Sequence, residues 1–316
     1  MQIRWTYRTL IAAIAGIAGI TLASPAVAQS FAQGPEVCNE CHKAEFEVWQ
    51  GSKHFKSFRE IAAKPLAKEL VAIVGATDMR RAPVCMTCHF SEARKAAADR
   101  PRLVGGPSCE SCHGASSDWL SVHNNYGGPT VKKEQEAPAA KQARIQKAAQ
   151  AGMIWSFDHY EIAENCNSCH GLASAKLDAA VMGKLVDAGH PVDDFELVRY
   201  SQGTVRHRFY PPNVTQNAQM TPAELSRLFL TGQAAALVAV AQSAPKIQSA
   251  KFQAVAKPRG DKARAALDAV KGQVPEAGAL LGQPTEANAK AFVKAIQGKD
   301  LSAAVSSMLP APNTYK

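Results

Sequence analysis

The stretches Cys85-Met86-Thr87-Cys88-His89 and Cys109-Glu110-Ser111-Cys112-His113 decide the architecture of this chain. Each has the pattern C-x-x-C-H, the attachment signature of a c-type haem. In such a motif two cysteines add across the vinyl groups of one porphyrin, and the next residue, histidine, reaches the iron from one face. Only 24 residues separate Cys85 from Cys109. The sequence therefore predicts a short helix and a turn between the two motifs, and two neighbouring haems.

The same pattern accounts for every cysteine in the chain. The 8 cysteines form four motifs, numbered here in chain order, and the histidine that ends each motif is the predicted proximal ligand of its iron. The cysteines are Cys38, Cys41, Cys85, Cys88, Cys109, Cys112, Cys166 and Cys169, and the histidines are His42, His89, His113 and His170. A zinc site or a disulfide framework would also use paired cysteines, but neither requires a histidine directly after each pair. The sequence predicts four covalently bound haem c groups.

The composition fits a core that is built partly from porphyrin. Aromatic residues make up 7% of the 316 residues, and much of the hydrophobic content is alanine. Four porphyrins would supply flat apolar surface in place of aromatic side chains. We expect a mainly α fold with little regular sheet, in which residues 29–172 form a tetrahaem cytochrome c domain and residues 173–316 form an Ala-rich helical region.

Residues 1–28 have the features of a cleaved secretion signal. Arg4 and Arg8 give a positive start, residues 10–22 form a short apolar run, and Ala26-Val27-Ala28 is a small-residue cleavage site. An uncleaved membrane anchor is the alternative, but the run is too short to cross a bilayer comfortably. The sequence therefore predicts export to the periplasm, with no stable membrane span after cleavage.

The charge balance gives little reason to expect a nucleic-acid partner. The formal net charge of +9 falls to +7 without Arg4 and Arg8. Eight ionised propionates and four ferric porphyrin cores would lower it further, to about +3. Export also argues against nucleic-acid binding, and a periplasmic redox partner protein is the expected partner.

Helical periodicity and end signals organise the rest of the chain. Phe46, Trp49 and Lys53 recur at helical spacing, which predicts one helix that carries His54 away from the first motif. A capping box with proline at the first helical position starts at Thr221. No strand alternation is convincing anywhere. Further helices are predicted over 62–74, 139–151, 172–188, 222–242, 261–271, 285–297 and 302–309.

Five histidines remain after the proximal ligands are assigned, and a bis-histidine tetrahaem protein needs four of them. His54, His123 and His159 lie beside the haem motifs and are the predicted distal ligands. Because three helical turns cover about 16 Å, we expect His54 to serve a haem other than the first. His190 and His207 lie farther along the chain and are weaker candidates. Methionine is the alternative axial ligand, and Met79, Met153 and Met220 are candidates for that role.

These motifs resemble the cytochrome c-554 type of tetrahaem cytochrome over residues 35–172. The resemblance rests on the first motif with Trp49 and Ser52-Lys53-His54, on the third motif between Gly105-Gly106-Pro107 and Gly114 with His123 after it, and on Phe157-Asp158-His159 before the fourth motif.

The resemblance implies a mostly helical fold with stacked and perpendicular haem pairs. It also implies that His54 binds the third haem, His123 the first and His159 the fourth. The haem on His89 would then lack a sixth protein ligand. The long C-terminal region departs from the family, and His190 or His207 could close that iron.

Two functions from different classes follow. The first is a periplasmic electron carrier that exchanges electrons with a periplasmic oxidoreductase. The second is a haem enzyme that reduces a small nitrogen oxide such as nitric oxide at a five-coordinate haem, with Arg206, His207 and Tyr210 as a suggestive group beside it. A structural haem scaffold or sensor is a third hypothesis. The carrier is preferred from the sequence, which leaves enzymatic activity open.

Overall fold

The computed structural model describes residues 30–128, 130–211 and 213–316. The predicted secretion signal over residues 1–28 lies outside them. The fold is mainly α with one small sheet, as the sequence predicts. The helices are α1 Pro35–Asn39, α2 Lys43–Gly51, α3 Lys53–Glu60, α4 Pro65–Ile73, α5 Pro83–His89, α6 Cys109–His113, α7 Leu120–His123, α8 Pro138–Gln150, α9 His159–His170, α10 Ala179–Asp187, α11 Leu197–Ser201, α12 Pro222–Ser243, α13 Ala250–Asp268, α14 Glu276–Gly282, α15 Glu286–Ala295 and α16 Ser302–Val305, and the strands are β1 Ser91–Ala93 and β2 Arg102–Gly105.

Each haem motif is built on a helix end. Helices α5, α6 and α9 finish at His89, His113 and His170, and α1 finishes at Asn39 inside the first motif. His42 is the residue that caps the start of α2. Residues three and four apart share one face of a helix, so the second, third and fourth motifs each direct two cysteines and a histidine to the same side.

The predicted single helix from Phe46 to His54 is two helices in the structure. Ser52 is extended, and its hydroxyl accepts a hydrogen bond from the Phe55 amide at 3.3 Å, which makes it the N-cap of α3. The chain changes direction at this cap and places His54 in the first turn of α3. The helical spacing of residues continues across the break and therefore did not reveal it. The local signal of the break is Ser52, because serine often caps the start of a helix.

A hairpin, rather than a helix and turn, connects the second and third motifs. Strands β1 and β2 pair antiparallel, with Ser91 opposite Gly105 and Ala93 opposite Arg102. The strands are only three and four residues long, too short for an alternating pattern to stand out in the sequence. The hairpin occupies much of the connection and is the only sheet among the described residues.

A buried carboxylate ties the chain before α1 to the third motif. Glu110, at an x position of that motif, is 8% exposed. Its oxygens accept hydrogen bonds from the backbone amides of Gln33, Gly34 and Ser116 at 2.8–2.9 Å. A buried carboxylate needs such donors, and here they bring the first and third motifs together.

The C-terminal lobe, residues 173–316, is organised around α12, which packs against α9, α11, α13 and α15. Its capping box has the predicted form, because the Thr221 hydroxyl accepts from the Glu224 amide and the Glu224 carboxylate accepts from the Thr221 amide. Tyr160 and Ala163 of α9 belong to the same core. The helix of the fourth motif is thus anchored in the lobe, and the division at residue 172 stays a prediction.

Helix α12 is long and apolar enough to cross a membrane by length and composition alone. However, 72% of its most apolar window is buried inside the fold. Phe229 and Leu230 are fully buried on it. This is the pattern of a core helix.

Candidate haem sites

The structure brings each motif histidine close to a second histidine. The four pairs have ring centres separated by 6.0–6.4 Å. The pairs are His42 with His123, His89 with His190, His113 with His207, and His170 with His54.

This spacing fits an iron held between two imidazoles. A metal–nitrogen bond is about 2 Å long, and the ring centre lies about 1 Å beyond the nitrogen, so two axial histidines place their centres about 6 Å apart. Aromatic pairs in protein cores span similar distances. What sets these pairs apart is their composition, because they use 8 of the 9 histidines and each contains one motif histidine.

The distal partners come from four separate segments. His54 lies in the first turn of α3 and His123 ends α7, whereas His190 follows α10 and His207 lies between α11 and α12. His123 faces the first motif, as the resemblance implies. His54 faces His170 of the fourth motif rather than the third.

The lobe supplies the other two partners, which the sequence ranked last. His190 faces His89 of the second motif, and His207 faces His113 of the third. No local pattern marks either residue, and only the count of histidines against irons pointed to them. Met79 is 6% exposed, packed in an apolar core cluster with Val71 and Phe90.

The ninth histidine, His159, is not brought to a haem motif histidine within the described residues. It begins α9, and its charged surroundings are Arg208, Arg227 and Glu224. Burial, followed by the two arginines, lowers the pKa of its imidazole. Sequence proximity to the fourth motif favoured His159, but His159 and His170 are the two ends of α9. The helix separates them by about 16 Å, too far for both to bind one iron.

Hydrogen bonds fix the tautomer of several paired histidines. Nδ1 donates to a backbone carbonyl in His113 (Ile154 O, 2.9 Å), His123 (Leu120 O, 2.6 Å) and His207 (Val205 O, 2.6 Å). A carbonyl oxygen only accepts, so the proton sits on Nδ1 and the Nε2 lone pair is left for a metal.

Burial also favours the neutral form of three of the paired rings. It is the main cause that lowers the pKa of His54 and His89 to about 4, and it lowers the pKa of His190. A histidine binds a metal in its neutral form, so at neutral pH these imidazoles are ready to act as ligands without losing a proton.

Contacts between cysteines order the motifs in space. The thiols of Cys38 and Cys109 interact, which raises the pKa of Cys38, and those of Cys88 and Cys169 interact in the same way. The Asn165 amide donates to the carbonyl of Cys112 at 3.2 Å, so the third motif adjoins the fourth. These contacts connect the motifs in the order first, third, fourth, second. The predicted proximity of the second and third motifs also has a contact, because the Ser91 hydroxyl, two residues after His89, lies 3.2 Å from the Ser111 hydroxyl in the third motif.

The cysteines themselves remain available for attachment. All eight are free thiols. Among the described residues, no three His, Cys, Asp or Glu side chains converge as a tetrahedral zinc site requires. The arrangement of cysteine pairs beside paired histidines is instead the donor set of a c-type haem.

His170 has surroundings that sequence reasoning missed. Its Nδ1 lies 3.3 Å from Oδ2 of Asp193, and the ring of Phe195 stacks on it at 4.7 Å and 18°. The guanidinium of Arg259 on α13 donates to the Asn167 side chain and to the carbonyl of His170. The C-terminal lobe thus encloses the proximal histidine of the fourth motif.

Comparisons with known proteins agree with this geometry. Residues 37–114, which hold the first three motifs, match the family described as cytochrome c554 and c-prime. Cytochrome c-554 of Nitrosomonas europaea is 26% identical over 144 residues, which are 44% of this chain. The match spans 57% of that relative's own length. A comparison with solved structures found no match. Over its haem-motif region the chain is therefore similar to the cytochrome c-554 family of c-type cytochromes.

Proposed function

We propose that this chain is a periplasmic electron carrier with four haem c groups, each iron held by two histidines. The observation that carries the proposal is the pairing of every motif histidine with a different second histidine. The first haem would bind His42 and His123, the second His89 and His190, the third His113 and His207, and the fourth His170 and His54.

Six-coordinate irons favour electron transfer over ligand chemistry. Bis-histidine ligation keeps an iron low-spin, so little rearrangement accompanies the change of oxidation state. The alternative of nitrogen oxide reduction needs an open sixth position on the haem of His89. The ring of His190, with its centre 6.0 Å from that of His89, is placed to fill that position, which favours the carrier.

The order of the motifs supports a conducting path. The thiol contacts between the first and third motifs and between the second and fourth would bring the porphyrins of each pair edge to edge. The third and fourth motifs connect the two pairs. Electrons would then pass along the first, third, fourth and second haems.

The first haem is the proposed point of exchange with a redox partner. Cys41 is exposed, and 53% of the side chain of His42 is accessible to solvent. A partner protein in the periplasm could approach this edge closely. The predicted signal over residues 1–28 supports that location, as does covalent haem attachment, which bacteria carry out after export.

Three measurements on the exported protein test the proposal. A pyridine haemochrome assay against protein concentration should give four haems per chain. The oxidised protein should show only low-spin signals by EPR, and the reduced protein should not bind carbon monoxide. A high-spin signal together with carbon monoxide binding would overturn the bis-histidine assignment and favour the enzyme, and fewer than four haems would overturn the count.

A further inference from the structure

One of the eight paired histidines, His170, hydrogen-bonds a carboxylate that itself accepts a hydrogen bond from a tyrosine. In His113, His123 and His207 the Nδ1 proton goes to a neutral backbone carbonyl. In His170 it faces the carboxylate of Asp193 at 3.3 Å. The proximal ligand of the fourth haem therefore differs in the charge of its hydrogen-bond acceptor.

Several contacts hold Asp193 in this position. The hydroxyl of Tyr200 donates to the same Oδ2 at 3.1 Å, and Nζ of Lys316 lies 2.8 Å from that hydroxyl. Phe195 stacks on the imidazole and Tyr200 lies edge-on to it. The carboxylate thus approaches His170 beside two aromatic rings and is held there by the Tyr200 hydroxyl.

The comparable pair of a carboxylate and a paired histidine, Glu45 with His42, has a longer contact. Glu45 lies 3.5 Å from Nδ1 of His42, and 53% of the side chain of His42 is exposed. Water screens an exposed pair of this kind and reduces its effect. The His170 side chain is 28% exposed, but the Asp193 side chain, at 36%, is more exposed than that of Glu45, at 29%. Asp193 is distinguished instead by its closer approach to the imidazole and by the hydrogen bond that it accepts from Tyr200.

A carboxylate acceptor makes an imidazole a more basic ligand. A more basic axial ligand donates more electron density and stabilises ferric over ferrous iron, which lowers the reduction potential. The charge itself acts in the same direction, because Asp193 favours the oxidised haem, which carries one more positive charge.

We propose that Asp193 is a positioning residue that makes the fourth haem the most reducing of the four. This inference rests on the proposed tetrahaem assignment. Because the fourth haem stands between the third and second in the conducting path, it would form an uphill step between those two haems and hold electrons on either side of it.

The test is a potentiometric titration of the holoprotein, followed by haem absorbance and by EPR. Asp193→Asn keeps the shape and a neutral acceptor but removes the charge. The lowest of the four midpoint potentials should move to a more positive value while the other three stay in place. The matched control is Asp194→Asn, which removes a carboxylate one residue away that pairs with Arg199 and is 72% exposed; it should leave all four potentials unchanged.

A second variant moves the same potential in the opposite direction. Tyr200→Phe removes a hydrogen bond to Asp193 and concentrates the charge on the oxygen that faces His170, so the lowest potential should fall further. His54→Met changes the sixth ligand of the same iron and identifies its EPR signal. His54→Met thereby identifies the fourth haem in the titration. If neither Asp193→Asn nor Tyr200→Phe shifts the potential of that haem, the inference is wrong. A wild-type protein with a high-spin haem would instead overturn the proposed function.

Discussion

His190 faces His89 with ring centres 6.0 Å apart, although 101 residues separate them in the chain. The first is carried by the segment after α10 and the second by the last position of α5. Under the proposed assignment the C-terminal lobe would therefore decide whether the second haem is open or closed, which is the feature that separates an electron carrier from an enzyme.

Replacing His190 with glycine should open the second haem. The His190→Gly variant is expected to show one high-spin iron by EPR and to bind one carbon monoxide per chain after reduction. His159→Gly is the matched control, since His159 is the one histidine outside the four pairs, and it should stay fully low-spin. Carbon monoxide binding by His159→Gly but not by His190→Gly would mean that His159, and not His190, is a ligand.

Gly106 permits the close approach that positions His54. A Cβ at this residue would overlap the carbonyl oxygen of His54 and the hydroxyl of Ser57. Gly106→Ala should therefore displace α3 and weaken the His54 bond to the fourth iron, which an increase in high-spin EPR signal would report. Gly51→Ala meets no atom within 4 Å and should leave the spectrum unchanged. An unchanged spectrum in both variants would show that α3 adjusts without moving His54.

Glu110 should contribute to stability more than any exposed glutamate in a haem motif. Replacing it with alanine leaves three backbone amides without their acceptor, and we expect a loss of about 3 kcal/mol in the free energy of unfolding. Denaturant unfolding followed by circular dichroism measures this loss. Glu40→Ala, at the exposed x position of the first motif, is the control and should change stability by less than about 0.5 kcal/mol. Equal effects would contradict the role of the three hydrogen bonds.

The sequence was most informative where the chemistry is local. A motif of five residues identifies the cysteines and proximal histidines, and the capping box at Thr221 marks the start of α12. The pairing of His190 and His207 with motifs far away depends on how the lobe packs, and no neighbouring residue encodes it. His159 shows the reverse case, because sequence proximity to the fourth motif favoured it, whereas the structure places it at the far end of α9 from His170.

The buried hydrophobic residues are unevenly divided between the region of the first three motifs and the C-terminal lobe. Among the described residues, 8 of the 41 buried hydrophobic residues precede residue 159, so the part that carries three of the four motifs has little apolar core of its own. In contrast, α12 and the helices around it bury large side chains such as Phe229, Phe292 and Leu267. Haem would complete the hydrophobic core of the region before residue 159, whereas protein packing alone suffices for the core of the lobe.

Chain produced without haem attachment should therefore be only half folded. We expect limited proteolysis of the haem-free protein to remove the region before about residue 159 and to leave a resistant fragment that contains α12 to α16, because the latter keeps its buried side chains. Mass spectrometry of the fragments locates the cleavage sites, and the haem-loaded protein under the same conditions is the control. Cleavage of both parts at equal rates would mean that the lobe also needs the haems, through His190, His207 and the contact of Arg259 with the fourth motif.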